Sequence, residues 1–555
     1  MFTNKLNSLF EVPVKKGTSK SVSNSFIDAG LLKSARTRSG NDALKYSTTG
    51  NDFVDQFGKL GSYKEQRSFT DISRDTQTLW SQNPRLTICF IFFIRLITRV
   101  VSLFSGTKTG TVQRGSGLKH EGIMRMIWLH INAPDSFWKN IKLYIAIASW
   151  KDIFQMLQID LQYNGWDNRQ LDWCSFSTLI MAGLENSNTT NLVKKYLPQI
   201  KARSKCTTLQ TQSNTLIGKW LCSEFDCNYK DYRMLKTSGT AHQWQKLISQ
   251  RLFDKINFNS IHGRALALMV SSKFLVNHGL EKKYEEWITT QPIAKYTGYV
   301  HELLSKISHN MKKYVADTIN KQFAGLVELG KKNAKTDSRL IVVRDTSASM
   351  GAPAHGTNVS CYDIGKSLAL YFSEFLTGHF AGTWIEFNDK AKMHTWKGNT
   401  PVEKWLNDHS NYVGSTEFQS VIDLFIRIKQ EGVSEADFPT GILCISDGEF
   451  NPSRSLSETN VKNALERLLF AGFSDEYVHN FQIILWNLQS KYYGKGTGEK
   501  FETYGDVENV YYFSGYDPAI IAFLTGVEGQ TKTPKTAKEL FEAAMDQEVM
   551  SMIEV

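Results

Sequence analysis

One carboxylate and two hydroxyls alternate in Asp345-Thr346-Ser347-Ala348-Ser349, a D-x-S-x-S pattern that follows directly on the β-branched run at 340–343. A further hydroxyl, Thr416, stands in Gly414-Ser415-Thr416, and a second carboxylate, Asp447, in Ile445-Ser446-Asp447-Gly448-Glu449. Hard divalent cations take oxygen ligands, and Mg²⁺ prefers near-octahedral geometry with several waters retained. Three hydroxyls and two carboxylates, acting partly through water, therefore make a candidate Mg²⁺ (or Mn²⁺) site from Asp345, Ser347, Ser349, Thr416 and Asp447. One coordination position would stay open for an acidic group from a partner. Alone, D-x-S-x-S would equally suit an Asx turn that caps a helix. Three such elements in order, each at the end of a strand or the start of a helix, favour the cation site.

Those residues need a sheet to bring them together. Short apolar runs at 340–343, 383–387, 441–445 and 481–486 alternate with segments of helical spacing at 361–376, 417–430 and 461–469. The alternation predicts a doubly wound, mostly parallel sheet with helices on both faces, and such sheets bind ligands beyond the carboxyl ends of their strands. The polar stretch 331–338 (KKNAKTDS) marks the boundary before this α/β domain, which is expected over 339–530, with a helix at 531–555.

Upstream the pattern is different. Residues 1–42 are rich in Ser, Thr, Asn, Lys and Arg without sustained periodicity, which predicts a basic, flexible leader. From 43 to 330 the spacing is helical, with one stripe at Ile141, Ile145, Ile153, Met156 and Leu157 and another at Trp244, Leu247, Ile248, Leu252 and Ile256. No fixed repeat period is visible, but successive helices joined by polar loops suit an irregular solenoid or ring of helix pairs. The fold class expected is thus α + α/β.

Charge divides along the same line. Residues 1–340 hold 48 Lys+Arg against 26 Asp+Glu, a net +22, whereas residues 341–555 hold 17 against 29, a net −12. A basic half attracts polyanions by neutralising phosphates and releasing counterions, so nucleic acid belongs on the N-terminal part if anywhere. Arg114 and Lys119 in the loop at 106–120 (GTKTGTVQRGSGLKH), and Lys201, Arg203 and Lys205 after Leu197, are the candidate phosphate contacts. Arg95 and Arg99 fall four apart in an apolar segment, where an arginine needs an acidic partner in the fold or in a ligand. That segment, 86–104, is too short and too charged to span a membrane and is expected to be a buried helix. Seven cysteines form no C-x-x-C pair and no secretory signal precedes them, which predicts free thiols in a cytoplasmic protein. His301-Glu302 lacks a second His at metalloprotease spacing, and neither G-x-S-x-G nor G-x-x-x-x-G-K-[ST] occurs. Gly494-Lys495-Gly496-Thr497-Gly498 lacks the Lys-Ser/Thr ending of a phosphate loop. No catalytic function is expected.

The D-x-S-x-S, Thr416 and Asp447 elements resemble a von Willebrand factor A domain with its metal-ion-dependent adhesion site. That resemblance implies Ser347, Ser349 and Thr416 as direct ligands, with Asp345 and Asp447 bonding metal-bound waters. Further segments, Tyr46-Ser47-Thr48-Thr49-Gly50-Asn51, Trp150-Lys151-Asp152, Tyr229-Lys230-Asp231-Tyr232-Arg233, Phe253-Asp254-Lys255-Ile256 and Tyr512-Phe513-Ser514-Gly515-Tyr516-Asp517-Pro518, resemble relatives of the Ro (TROVE) ribonucleoproteins. The resemblance runs from about residue 43 to 527 and implies a ring of helical repeats that binds small structured RNAs and single-stranded RNA ends. The sequence departs from it at 106–120, which is longer than a short Gly-rich basic turn between two helices. The expected function is non-enzymatic RNA binding combined with metal-dependent docking of a protein partner that offers a carboxylate. The alternative is an assembly protein, viral or otherwise, in which the domain docks proteins and nucleic acid is incidental.

Overall fold

A computed structural model describes residues 49–61, 67–101, 111–239, 243–261, 263–294, 296, 298–332, 339–354, 357–376, 380–408, 410, 414–448, 460–488, 508–516 and 534–555, with the backbone of 36–38 and 44–46. The sheet is built by β5 (Leu340–Asp345), β6 (Thr383–Phe387), β7 (Lys392–Thr395), β8 (Gly441–Ser446), β9 (Gln482–Asn487) and β10 (Val510–Ser514) in the order β10-β9-β8-β5-β6-β7. All neighbours are parallel except β7, which runs antiparallel to β6 at the edge. The first and fourth of these strands in chain order, β5 and β8, lie side by side, so the connections diverge between them. That is the topological switch point, where open α/β sheets open a crevice beyond their carboxyl ends.

β5 is buried along its whole length, as a strand covered on both faces must be. Alternate residues Ile341 and Val343 join Ile442, Ile483 and helix residues Val421, Ile422 and Ala464 in one core. These come from the helices Gln419–Gln430 and Asn460–Phe470. On the opposite face the helix Cys361–Ser373 covers the sheet, with Phe372 6.0 Å from Trp486 between ring centres.

The chain divides into two compact units, and the division does not fall at 331–338. One unit spans Asn257–Ala544 together with the described residues up to 61, so the long helix Lys313–Lys332 belongs with the sheet. Asn320 Oδ1 accepts the Val402 N–H at 3.2 Å, and Phe323 packs edge-on against Tyr371. The other unit joins Gln66–Ile256 to Met545–Val555. The expected single helix at 531–555 is therefore two, Ala537–Met545 and Glu548–Ser551, which end up in different units.

The Gln66–Ile256 unit is helical, but not wholly. Asn83 caps the helix Pro84–Arg95 by accepting the Leu86 N–H at 2.9 Å, with Pro84 in the first turn, where its missing N–H costs nothing. Phe90 to Ile94 are all 0% exposed. The helix stops at Leu96, and the chain continues as β3 (Ile97–Val101), which pairs antiparallel with β4 (Thr111–Ser116). The expected loop at 106–120 is thus in part a hairpin strand, for which Ile-Thr-Arg-Val-Val and Thr-Val were the β-branched signal. Likewise β1 (Arg36–Arg38) pairs with β2 (Leu44–Tyr46), where no structure was expected before residue 43. Among the described residues no helix is long and apolar enough to cross a membrane, and all seven cysteines are free. The remainder of the 1–42 leader, the 333–338 boundary, Glu449 and the Gly494–Gly498 segment lie outside the described residues.

Candidate metal centre

Asp345 is the last residue of β5 and is 0% exposed. Its Oδ1 accepts the Ser347 N–H at 2.8 Å, which turns the chain back over the strand end. Its Oδ2 accepts the Ser446 hydroxyl at 2.5 Å, and Ser446 Oγ in turn accepts the Gly448 N–H at 3.0 Å. One carboxylate therefore ties together the loops that leave β5 and β8. Ser347 and Ser349 place their hydroxyls 3.1 Å apart, the first buried and the second exposed. Asp447, 5% exposed, follows Ser446, and its charge acts directly on Asp345.

Thr416, 2% exposed, arrives from a third loop. The Ala348 N–H donates to the Gly414 carbonyl at 3.4 Å, and the Glu417 N–H to the Asn388 carbonyl at 2.9 Å. Asp389, just past β6, accepts both the N–H and the hydroxyl of Ser415, at 2.8 and 2.6 Å. Gly414 has φ +91°, and a Cβ there would stand 2.7 Å from Asp389 Oδ2, so only glycine lets this loop close. The five predicted residues thus come from loops bonded to one another at the ends of β5, β6 and β8.

The electrostatics of this cluster suit a cation. Burial, and next the negative charge of Asp447, push the Asp345 carboxyl up to about 7. Burial and then Asp345 raise the Cys444 thiol beneath it. Two buried carboxylates with hydroxyl oxygens beside them are a hard-oxygen donor set, which fits a divalent ion such as Mg²⁺. Among the described residues no group of three or more His, Cys, Asp or Glu could hold a metal ion, so the hydroxyls are essential to any such site. Ser446 and Asp389 position the cluster and were not expected. Ser446 could have been read from its place beside Asp447, whereas the Asp389–Ser415 contact is tertiary and leaves no trace in local spacing.

The basic residues separate. Arg114 sits in β4 and is 3% exposed, its backbone paired with the Gln547 side chain, so its place is not a phosphate-facing loop. Lys119 opens the helix Lys119–Asn132 with its Nζ 3.5 Å from Asp152, and burial lowers its pKa. The same Asp152 pairs with Arg95 at 2.5 Å, which supplies the acidic neighbour that Arg95 requires. The Arg99 side chain lies outside the described residues. Arg203 and Lys205 are exposed on one 3₁₀ turn, with half-buried Lys201 just before it.

Residues 339–553 match a domain of unknown function, DUF7788. No curated protein matches the chain.

Proposed function

We propose that the sheet domain is a von Willebrand factor A-like docking module, in which Mg²⁺ (or Mn²⁺) is completed by an acidic side chain from a protein partner. Ser347, Ser349 and Thr416 would hold the ion directly, and Asp345 and Asp447 would hold its waters. The bound ion supplies a Lewis-acidic position for a carboxylate. The observation that carries this reading is the buried Asp345, raised to about 7 beside Asp447 at the switch point of the sheet. The protein as a whole is then a non-enzymatic, cytoplasmic, Ro-like protein whose basic helical half holds small or single-stranded RNA. The net +22 of residues 1–340 and the exposed Arg203 and Lys205 support the RNA part.

Calorimetric titration of the full chain with Mg²⁺ tests the docking reading. Saturable binding that is absent in Asp345→Ala and Thr416→Ala is expected; wild-type affinity in both variants overturns it. The assembly reading draws on Arg114, which is buried, and on Lys119, which is half-exposed but paired with Asp152. Filter binding across a salt series separates the two. RNA affinity should fall steeply with salt, and replacing Lys201, Arg203 and Lys205 together by Ala should flatten the slope by up to about three charges.

A further inference from the structure

The helix Leu209–Glu224 ends in a turn closed by two backbone hydrogen bonds. The Cys227 N–H donates to the Cys222 carbonyl at 3.0 Å, and the Asp226 N–H to the Ser223 carbonyl at 3.2 Å. Together they make a Schellman turn, with Asp226 in its left-handed position at φ +45°. Glycine usually holds that position, and aspartate is among the few other residues that tolerate it. Such a turn brings together the side chains of the two residues joined by its outer bond, a contact that is frequently hydrophobic. Here both residues are cysteines.

The outer bond limits how far apart the pair can be. Its 3.0 Å N···O separation, added to the covalent distances from each Cα to the bonded atoms, holds the two Cα atoms to less than about 6.8 Å. Disulfides span about 4.4–6.8 Å between Cα atoms. The thiols themselves interact: burial, then the charge of Cys227 and a hydrogen bond with it, push the Cys222 thiol up to about 11. Both residues are part-buried, whereas Cys89, Cys361 and Cys444 are buried. Among the described residues no group of three or more His, Cys, Asp or Glu could hold a metal ion, so the pair stands as a dithiol without further ligands.

We propose that Cys222 and Cys227 are a reversible oxidation site, which closes to a disulfide by exchange with a small-molecule disulfide. The thiolate is the attacking species, and burial keeps Cys222 protonated, so Cys227 reacts first. Its Sγ loses a proton to water, attacks one sulfur of the reagent and expels the other half, which leaves as a thiol. Cys222 Sγ then loses its proton, attacks Cys227 Sγ in the mixed disulfide and expels the second half. Two cysteine thiols are oxidised and one reagent disulfide is reduced to two thiols. The new bond clasps a helix junction. Tyr229 and Tyr232 of the next helix, Tyr229–Ser238, donate their hydroxyls to the Ile200 and Pro198 carbonyls at 3.2 and 2.9 Å. The segment that leads to Arg203 and Lys205 is therefore held by the helix that starts just beyond Cys227.

The full chain is equilibrated with mixtures of reduced and oxidised glutathione, quenched, alkylated and digested with trypsin. Residues 220–230 (WLCSEFDCNYK) form one tryptic peptide that carries both cysteines and no other. Oxidation should remove two hydrogens from this peptide and leave it unalkylated. The effective concentration of the pair, read from the glutathione ratio at half-oxidation, should be about tenfold or more higher in the native chain than in concentrated urea, because the turn holds the thiols together before they react. Cys222→Ser should stop at a glutathione adduct on Cys227. Amide hydrogen exchange over 225–228 should slow when the wild-type pair is oxidised. Any one of four results overturns the proposal: both thiols still alkylated in a large excess of oxidised glutathione, glutathione adducts or bonds to other cysteines in place of the internal bond, equal effective concentrations in the native chain and in urea, or exchange over 225–228 that oxidation leaves unchanged.

Discussion

Replacing Asp345 by Asn tests the electrostatic argument for the metal centre quantitatively. In the metal-free protein the carboxyl titrates at about 7 against 3.8 unfolded. Because the folded value is raised, folding holds the proton. Stability linked to this group is complete below about pH 4 and is lost as pH rises to 7, after which the loss levels off. At 1.36 kcal/mol per pH unit the full loss is about 4 kcal/mol at pH 8 and about 1.6 kcal/mol at pH 5. Asparagine carries no charge and escapes that loss at every pH. It can still accept the Ser347 N–H, but its amide cannot accept the Ser446 hydroxyl, which returns about 1–2 kcal/mol. Asp345→Asn should therefore be near neutral at pH 5 and stabilising by about 2–3 kcal/mol at pH 8, by urea denaturation in EDTA followed by circular dichroism. The same variant should bind no Mg²⁺ in calorimetry. The difference between the two pH values depends only on the charge, not on the hydrogen bonds. A ΔΔG that is the same at pH 5 and pH 8 refutes the reasoning.

Asp152→Asn removes the charge that faces buried Arg95 and half-exposed Lys119, and should destabilise by about 3 kcal/mol in urea at pH 7, whereas Glu542→Gln, in an exposed pair with Lys538, should change stability by less than about 0.5 kcal/mol. Burial acts to raise the Asp408 carboxyl, but Arg344 and Lys366 overcome it and hold it at about 2 against 3.8 unfolded, so it contributes about 2 kcal/mol that is present above pH 4 and lost as pH falls toward 2; Asp408→Asn should flatten the acid limb of the stability profile there. Gly448→Ala forces a Cβ to within 2.4 Å of Asn487 Nδ2 at φ +85°, and should weaken Mg²⁺ affinity measurably while costing at least about 1 kcal/mol of stability.

Four of the six strands of the sheet were legible as apolar runs, whereas β10, Val510–Ser514, was not read as a strand although it is largely buried. The runs at 340–343, 383–387, 441–445 and 481–486 each became a strand, because continuous apolar β-branched residues have few other uses. Edge strand β7, Lys-Met-His-Thr, has three of its four residues exposed and reads as a loop. The loops that carry the five candidate residues were legible because each follows a strand or opens a helix within a few residues. What holds them, Asp389 against Ser415 and Ser446 against Asp345, depends on loops about 26 and 101 residues apart in the chain, and no local pattern encodes such pairings. The boundary at 331–338 was read from composition alone. The helix before it sets Phe323 edge-on against Tyr371 of the sheet domain, a contact that composition cannot reveal. Arg114 failed for a related reason: a cation in a Gly-rich segment reads as a loop residue, but the pairing of β3 with β4 turns it inward.

Arg344 and Asp345 show how far the pleat decides chemistry. Adjacent in sequence and both 0% exposed, they look like a self-neutralising pair. The strand has a period of two, so its neighbours point to opposite faces. Arg344 emerges beside Tyr362 and Trp384, 4.5 and 4.6 Å from their ring centres, and bonds Asp408. Asp345 emerges on the other face with Ser446, and the charge that acts on it is that of Asp447. The strand thus carries a cation and an anion one residue apart and keeps them from meeting. Had the arginine stood at 343 or 347, on the aspartate's own face, it would have lowered the carboxyl rather than left it near 7. The separation leaves the positive charge against the rings of Tyr362 and Trp384 and the carboxyl beside Ser446 and Asp447, so one strand end presents two different chemistries on its two faces.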